Sequence, residues 1–197
     1  IILDNISVDI NKNNKIIIVG KTGSGKSTLS DIISGHLKPT KGKILFDDED
    51  INADDAYKWQ NTIGYVSQTV PIINDNFYIN ISLTDNFEKE KVHAAAKIAE
   101  IDSFISSLKE NYNSTINESG KNLSGGQIQR IGIARALYQN PQIIIFDEGT
   151  SNLDLITEKK IFDTLDKLSK DKTIIIITHR IETISSLDKY FILKNGK

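Results

Sequence analysis

Residues 20–28 read Gly20-Lys21-Thr22-Gly23-Ser24-Gly25-Lys26-Ser27-Thr28, the pattern G-x-x-x-x-G-K-[ST]. These residue types in this order suit a polyphosphate. Glycines let successive backbone N–H groups wrap the β- and γ-phosphates, Lys26 brings a mobile positive charge, Ser27 offers a hydroxyl to Mg²⁺, and a helix starting here favours anions at its N-terminus. Thr22, Gly23, Ser24, Gly25, Lys26, Ser27 and Thr28 are therefore the candidate nucleotide-binding residues. Such a loop defines a nucleoside triphosphate site but does not separate kinases, GTPases, helicases and transport ATPases. A second local signal is Leu123-Ser124-Gly125-Gly126-Gln127, followed by Ile128, Ile131, Ala134 and Leu137 at helical spacing and stopped by Asn140-Pro141.

The elements that must position these residues are legible from apolar runs. Residues 16–20, 143–147 and 174–178 are β-branched, apolar on both faces and bounded by polar or turn residues, which places them in a parallel sheet covered by helices. The first run feeds the glycine-rich loop and then a helix over residues 26–34, with Leu29, Ile32 and Ile33 inward and Gly35 as its stop. Residues 63–67 read as another strand, leading to Gln68. Ile6, Val8 and Ile10 alternate, and residues 43–46 run into the acidic turn 47–50, so both are expected in a small antiparallel section. That acidic run lacks the spacing of a calcium loop and is read as a hairpin turn. From 88 to 108 the apolar positions Val92, Ala95, Ala96, Ala99, Phe104, Ile105 and Leu108 keep helical spacing. The expectation is an α/β protein: a core over 1–68 and 140–197 with a mainly parallel sheet and a small antiparallel β section, and an inserted α-helical subdomain over 69–139.

Composition narrows the function classes. The 197 residues carry 24 Lys and Arg against 26 Asp and Glu, a net charge of −2 without the basic excess that binds phosphate backbones, so no nucleic-acid partner is expected. With no cysteine, disulfide frameworks and thiolate metal sites are excluded. The longest apolar runs are four residues, against roughly 18 to 20 needed to span a bilayer. There is no secretory or transit-like start, and a chain without methionine is read as a segment of a longer polypeptide. His36 and His93 have no partners in sequence and are assigned to the surface, and Trp59 is expected to anchor the core. Only three of the basic residues are arginines, Arg130, Arg135 and Arg180, where a planar donor suits structural pairing with carboxylates or carbonyls.

The pentapeptide 123–127, lying between the phosphate loop and the acidic strand end at Asp147-Glu148, resembles the signature motif of the ATP-binding cassette family. Residues 151–154 resemble that family's dimer-contact loop, ending at Asp154, and Gln68 and His179 fall where its two single-residue switches occur. The resemblance covers essentially the whole chain and implies a P-loop NTPase core. It implies that Glu148 polarises the hydrolytic water, that His179 contacts the γ-phosphate, and that Gln68 touches Mg²⁺ and joins core to insert. Asp147, at the end of an apolar strand, is expected to hold the Mg²⁺ shell through water, together with Ser27 and Gln68. The resemblance implies further that Ser124, Gly125, Gly126 and Gln127 cap the γ-phosphate bound by a second cassette, so that two cassettes sandwich two ATP molecules. Glu118 stands where exporters carry an acidic cross-linking loop, and residues 98–105, 150–154 and 157–161 are similar to exporter sequences. The family reading is therefore an exporter ATPase using ATP and Mg²⁺, paired with a second cassette and with a transmembrane domain on the same polypeptide, at the cytoplasmic face of a membrane, a bacterial inner membrane. The alternative is a soluble cassette acting as a mechanical ATPase without transport. Gly149, where the family more often has alanine, is expected to be tolerated.

Overall fold

The computed structural model describes residues 2–51, 56–117, 120–150, 152–168, 170–178 and 187–197. Five parallel strands form the main sheet: β1 (Lys15–Gly20), β4 (Ile63–Val66), β5 (Ile143–Asp147), β6 (Thr173–Ile177) and β7 (Lys189–Leu193), in the order β4-β5-β6-β1-β7. Period-two alternation divides each apolar run between two faces. Ile17, Ile144, Phe146, Ile174 and Ile176 enter one core, with Ile161, Phe162 and Leu165 of α7 (Leu155–Leu168) and Ile131 of α6 (Gly125–Tyr138). Ile16, Ile18, Ile145, Ile175 and Ile177 enter the other, with Leu29 of α1 (Lys26–Ile33). Both faces are covered, which is why these strands carry no polar alternation. Each such isoleucine contributes about 1.5–3 kcal/mol of burial.

The remaining elements are short. β2 (Leu45–Phe46) and β3 (Glu49–Asp50) form an antiparallel hairpin whose turn residues Asp47 and Asp48 both have positive φ, 49° and 68°, the backbone that a tight two-residue hairpin needs. The acidic run is thus a hairpin turn. Trp59, on α2 (Ala56–Asn61), is buried against Phe46 and donates from Nε1 to the Ile33 carbonyl at 2.8 Å. Between β4 and α6 stand α3 (Phe77–Ser82), α4 (Lys89–Ile98), α5 (Asp102–Ser107) and a 3₁₀ turn (Asn111–Asn113). Their apolar residues Ile81, Val92 and Ile105 share a core with Val66 and Phe146 of the sheet. Among the described residues, no helix is long and apolar enough to cross a membrane.

The first expected strand does not form. Residues 2–14 have no strand, although Ile6 and Ile10 pack on the α1 side of the sheet. Alternation reports burial on one side, and an extended segment meets that need without a ladder; among the described residues β2 and β3 pair as strands only with each other. The antiparallel section is therefore the hairpin alone.

Candidate active site at the carboxyl edge of the sheet

In an open parallel sheet, ligands bind beyond the carboxyl ends of the strands. Register brings the candidate residues to that edge: Val66 pairs with Phe146, Asp147 with Ile177, and β1 ends at Gly20. The loop after β1 turns through Gly25, at φ 100°, into α1. Among the described residues no side chain caps this helix, whose N-terminus favours an anion. Lys26 is buried and folds back, its Nζ donating to the carbonyls of Gly20 at 2.9 Å and Lys21 at 3.2 Å. Ser27 is exposed at the mouth of the loop, and Thr22 and Gly23 are exposed beside it. The buried Ser24 hydroxyl has no hydrogen-bond partner among the described residues. From behind, Gly196 N–H donates to the Ser24 carbonyl at 3.1 Å while its own carbonyl accepts from Asp4 N–H at 2.8 Å, so the loop rests on both end segments of the chain.

The two carboxylates after β5 have different surroundings. Asp147 Oδ2 accepts from the Tyr65 hydroxyl at 2.9 Å, and the Tyr65 hydroxyl oxygen lies 3.2 Å from Ser30 Oγ on α1, tying strand end to helix. Burial pushes the Asp147 carboxyl above its ordinary value, with Glu148 and Asp31 adding to the rise, while the Tyr65 hydrogen bond and Lys26 oppose it. Burial also pushes the Tyr65 phenol far up, so it stays a donor. Glu148 sits at φ 51°, its N–H bonded to the Ile177 carbonyl at 2.9 Å and its Oε2 accepting from Gln68 Nε2 at 3.0 Å. Gln68 and Glu148, two separate candidates 80 residues apart in sequence, therefore meet.

Ser124 is the N-cap of α6 and forms a full capping box with Gln127: Gln127 N–H donates to Ser124 Oγ at 3.3 Å, and Ser124 N–H to Gln127 Oε1 at 2.7 Å. A cleft of about 500 Å³ separates residues 68–72 from Gly125, Ile128, Gln129 and Asn152. Gln129, on one wall, donates from Nε2 to the carbonyl of Ser67, the residue before Gln68 on the other, at 3.1 Å. Asp154 precedes α7 and accepts from Thr157 N–H at 3.0 Å, a bond that holds its carboxyl below the ordinary range. Arg130 donates to the Glu100 carbonyl at 2.7 Å, and Arg135 to those of Asn80 at 2.9 Å and Pro71 at 3.0 Å, the structural pairing expected of them.

His179, Glu118, Ser151 and Arg180 lie outside the described residues. His36 is exposed, as expected, but His93 is not a plain surface residue: it is half-buried, its ring centre lies 4.1 Å from that of Tyr112 at a tilt of 47°, and its Nε2 lies 3.2 Å from the Tyr78 hydroxyl. Its partners come from α3 and the 3₁₀ turn, which sequence proximity does not reveal. Sequence reasoning also missed Tyr65, Gln129 and Glu158, the last accepting from Thr150 Oγ1 at 2.7 Å in a buried pair. A tyrosine in an otherwise aliphatic strand and a glutamate at a helix start are faint signals.

A phosphate loop opening a helix without a side-chain cap, with one carboxylate tied to that helix and one held by an amide at the same sheet edge, has the layout of a P-loop nucleotide-binding site. Comparison with known proteins narrows the class. The family model described as ABC transporter matches residues 3–151, and the chain belongs to this family. It is 43% identical over 198 residues to the alpha-hemolysin translocation ATP-binding protein HlyB of Escherichia coli, covering 100% of this chain and 28% of that protein. The leukotoxin export ATP-binding protein LtxB of Aggregatibacter actinomycetemcomitans is 43% identical over 197 residues, with the same coverage. A solved bacterial Atm1-family ABC exporter with ATP bound superposes with a TM-score of 0.93 at 37% identity, over 99% of this chain and 34% of that one. The chain thus spans little more than a quarter of the length of the curated relatives it matches.

Proposed function

We propose that this chain is the ATP-hydrolysing unit of an exporter, in which ATP and water become ADP and phosphate as two cassettes close head to tail. The observation that carries the reading is the Gln68–Glu148 hydrogen bond at the carboxyl edge of the sheet, a carboxylate held by a neutral amide beside a phosphate loop. In this reading residues 22–28 bind the phosphates, Lys26 leaving its two carbonyls for the γ-phosphate. Glu148 accepts a proton from the attacking water, and His179 contacts the γ-phosphate. Ser27, Gln68 and Asp147 present a hydroxyl, an amide and a carboxylate, the hard donor set that suits Mg²⁺ completed by phosphate oxygens and water. When bound, Mg²⁺ would neutralise charge on the phosphates.

Ser124, Gly125, Gly126, Gln127 and Asp154 would face the nucleotide of a second cassette. Residues 1–68 and 140–197 form the nucleotide-binding core, and residues 69–139 form the signature-bearing insert. A transmembrane domain on the same polypeptide would dock near Gln68 and residues 74–81, which puts the cassette at the cytoplasmic face of a membrane. The export and translocation named for the relatives favour this over a soluble mechanical ATPase.

The test is ATP hydrolysis and cargo movement by the full-length protein in liposomes, wild type beside Glu148→Gln. The expected result is retained ATP binding, a trapped closed dimer and turnover lowered by about a hundredfold or more in the variant. Undiminished turnover there would refute the assignment of the base, and turnover without a membrane partner or transport would favour the soluble ATPase.

A further inference from the structure

Glu148 has a left-handed backbone, which a residue with a side chain keeps only where its surroundings over-determine it. Three contacts do so. Its N–H is fixed to the Ile177 carbonyl at 2.9 Å. Gly149 is pressed against β4, where an added Cβ would lie 2.7 Å from Val66 Cγ1 and 3.0 Å from the Val66 carbonyl oxygen. Thr150, buried, gives its hydroxyl to Glu158 Oε1 at 2.7 Å, and its carbonyl accepts Leu153 N–H at 3.0 Å. Glu158 is 1% exposed, and its Oε2 has no hydrogen-bond partner among the described residues. A buried carboxyl with one idle oxygen is a poor stabilising device, since an apolar pair of the same shape serves a core as well or better. What it supplies is a strong, directional acceptor for one hydroxyl. It stands in the first turn of α7, where the helix terminus supports negative charge.

We propose that Glu158 is a positioning residue for Glu148, acting through Thr150: the buried pair fixes the turn after β5 and so aims the Glu148 carboxylate at the attacking water. The same pair ties that turn to Asp154, whose carbonyl accepts Glu158 N–H at 2.9 Å, so the base and the residue proposed to face the second cassette share one rigid mount. This rests on the reading of Glu148 as the base.

The experiment measures steady-state ATPase kinetics and melting temperature of the full-length protein in liposomes for Thr150→Val, Thr150→Ser, the double variant Thr150→Val with Glu158→Leu, and Glu148→Gln. Thr150→Val should lower kcat about tenfold or more while the KM for ATP stays within about twofold, and Thr150→Ser should restore kcat. The double variant, freed of the unpaired carboxyl, should regain the wild-type melting temperature and still turn over slowly. If Thr150→Val does not fold, the double variant carries the test. Recovery of kcat together with melting temperature in the double variant would mean the pair only packs, and would overturn the proposal. Loss of turnover in Glu148→Gln with none in Thr150→Val would overturn this proposal alone; wild-type turnover in Glu148→Gln would overturn the base assignment and this proposal with it.

Discussion

Tyr65 joins three parts of the site, because its hydroxyl donates to Asp147 and lies against Ser30 on the helix that starts at Lys26. That donation favours the ionised form of Asp147, opposing the burial that disfavours it. Removing it in Tyr65→Phe should raise the Asp147 pKa further. The acidic limb of the kcat/KM profile then moves to higher pH, the direction required when a carboxylate needed in its charged form becomes harder to ionise, and more Mg²⁺ is needed for half-maximal activity. A pH series of ATPase rates with a Mg²⁺ titration checks both, and an unchanged acidic limb would remove Asp147 from the pH dependence. Lys26, Ser27 and the glycines were legible because the loop's chemistry is written in nine consecutive residues. Tyr65 was not, since its bond to Asp147 spans 82 residues and depends on the parallel register of β4 and β5.

Among the elements, α6 does the most positioning, carrying the signature at one end and lying against β4 at the other. The approach is close: a Cβ on Gly64 would fall 2.4 Å from the Ala136 carbonyl oxygen, a backbone atom that cannot rotate away. Gly64→Ala should therefore cost about 1–3 kcal/mol. For a domain of this size that is a fall in melting temperature of roughly 2–4 °C per kcal/mol, read by calorimetry. The helix is also held by Arg135, whose fork spans the carbonyls of Asn80 and Pro71. Arg135→Lys keeps the charge but not two fixed donors, so it should loosen α6 from the segment after Gln68 and lower thermal stability, whereas an unchanged melting temperature would mean that one donor suffices. Elements with strong internal signals were readable, including α1 with its glycine stop and α6 with its helical spacing and Asn140-Pro141 stop. The run Ile6, Val8, Ile10 misled because alternation does not say whether a ladder partner exists. β7 escaped because, as an edge strand with Tyr190 and Ile192 exposed, it lacks the apolar signature of β1, β5 and β6.

At the scale of the whole molecule, the proposed site needs two copies, the phosphate loop of one and the signature of the other, and pairing logic tests this without a structure of the dimer. Consider full-length mixed dimers purified through two tags, with Lys26→Ala disabling a loop and Ser124→Arg disabling a signature. If each site is built from both chains, placing one lesion in each chain lets them coincide in one site and leaves the other site whole. Placing both lesions in one chain then damages both sites. If each chain completed its own site, the outcome would invert: both lesions in one chain would spare the partner, and separated lesions would spare nothing. Head-to-tail pairing therefore predicts ATPase activity near half of wild type with the lesions on separate chains and background activity with both on one chain. The opposite ranking would show that the signature serves the loop of its own chain, and Ser124 would lose its proposed place at the second nucleotide.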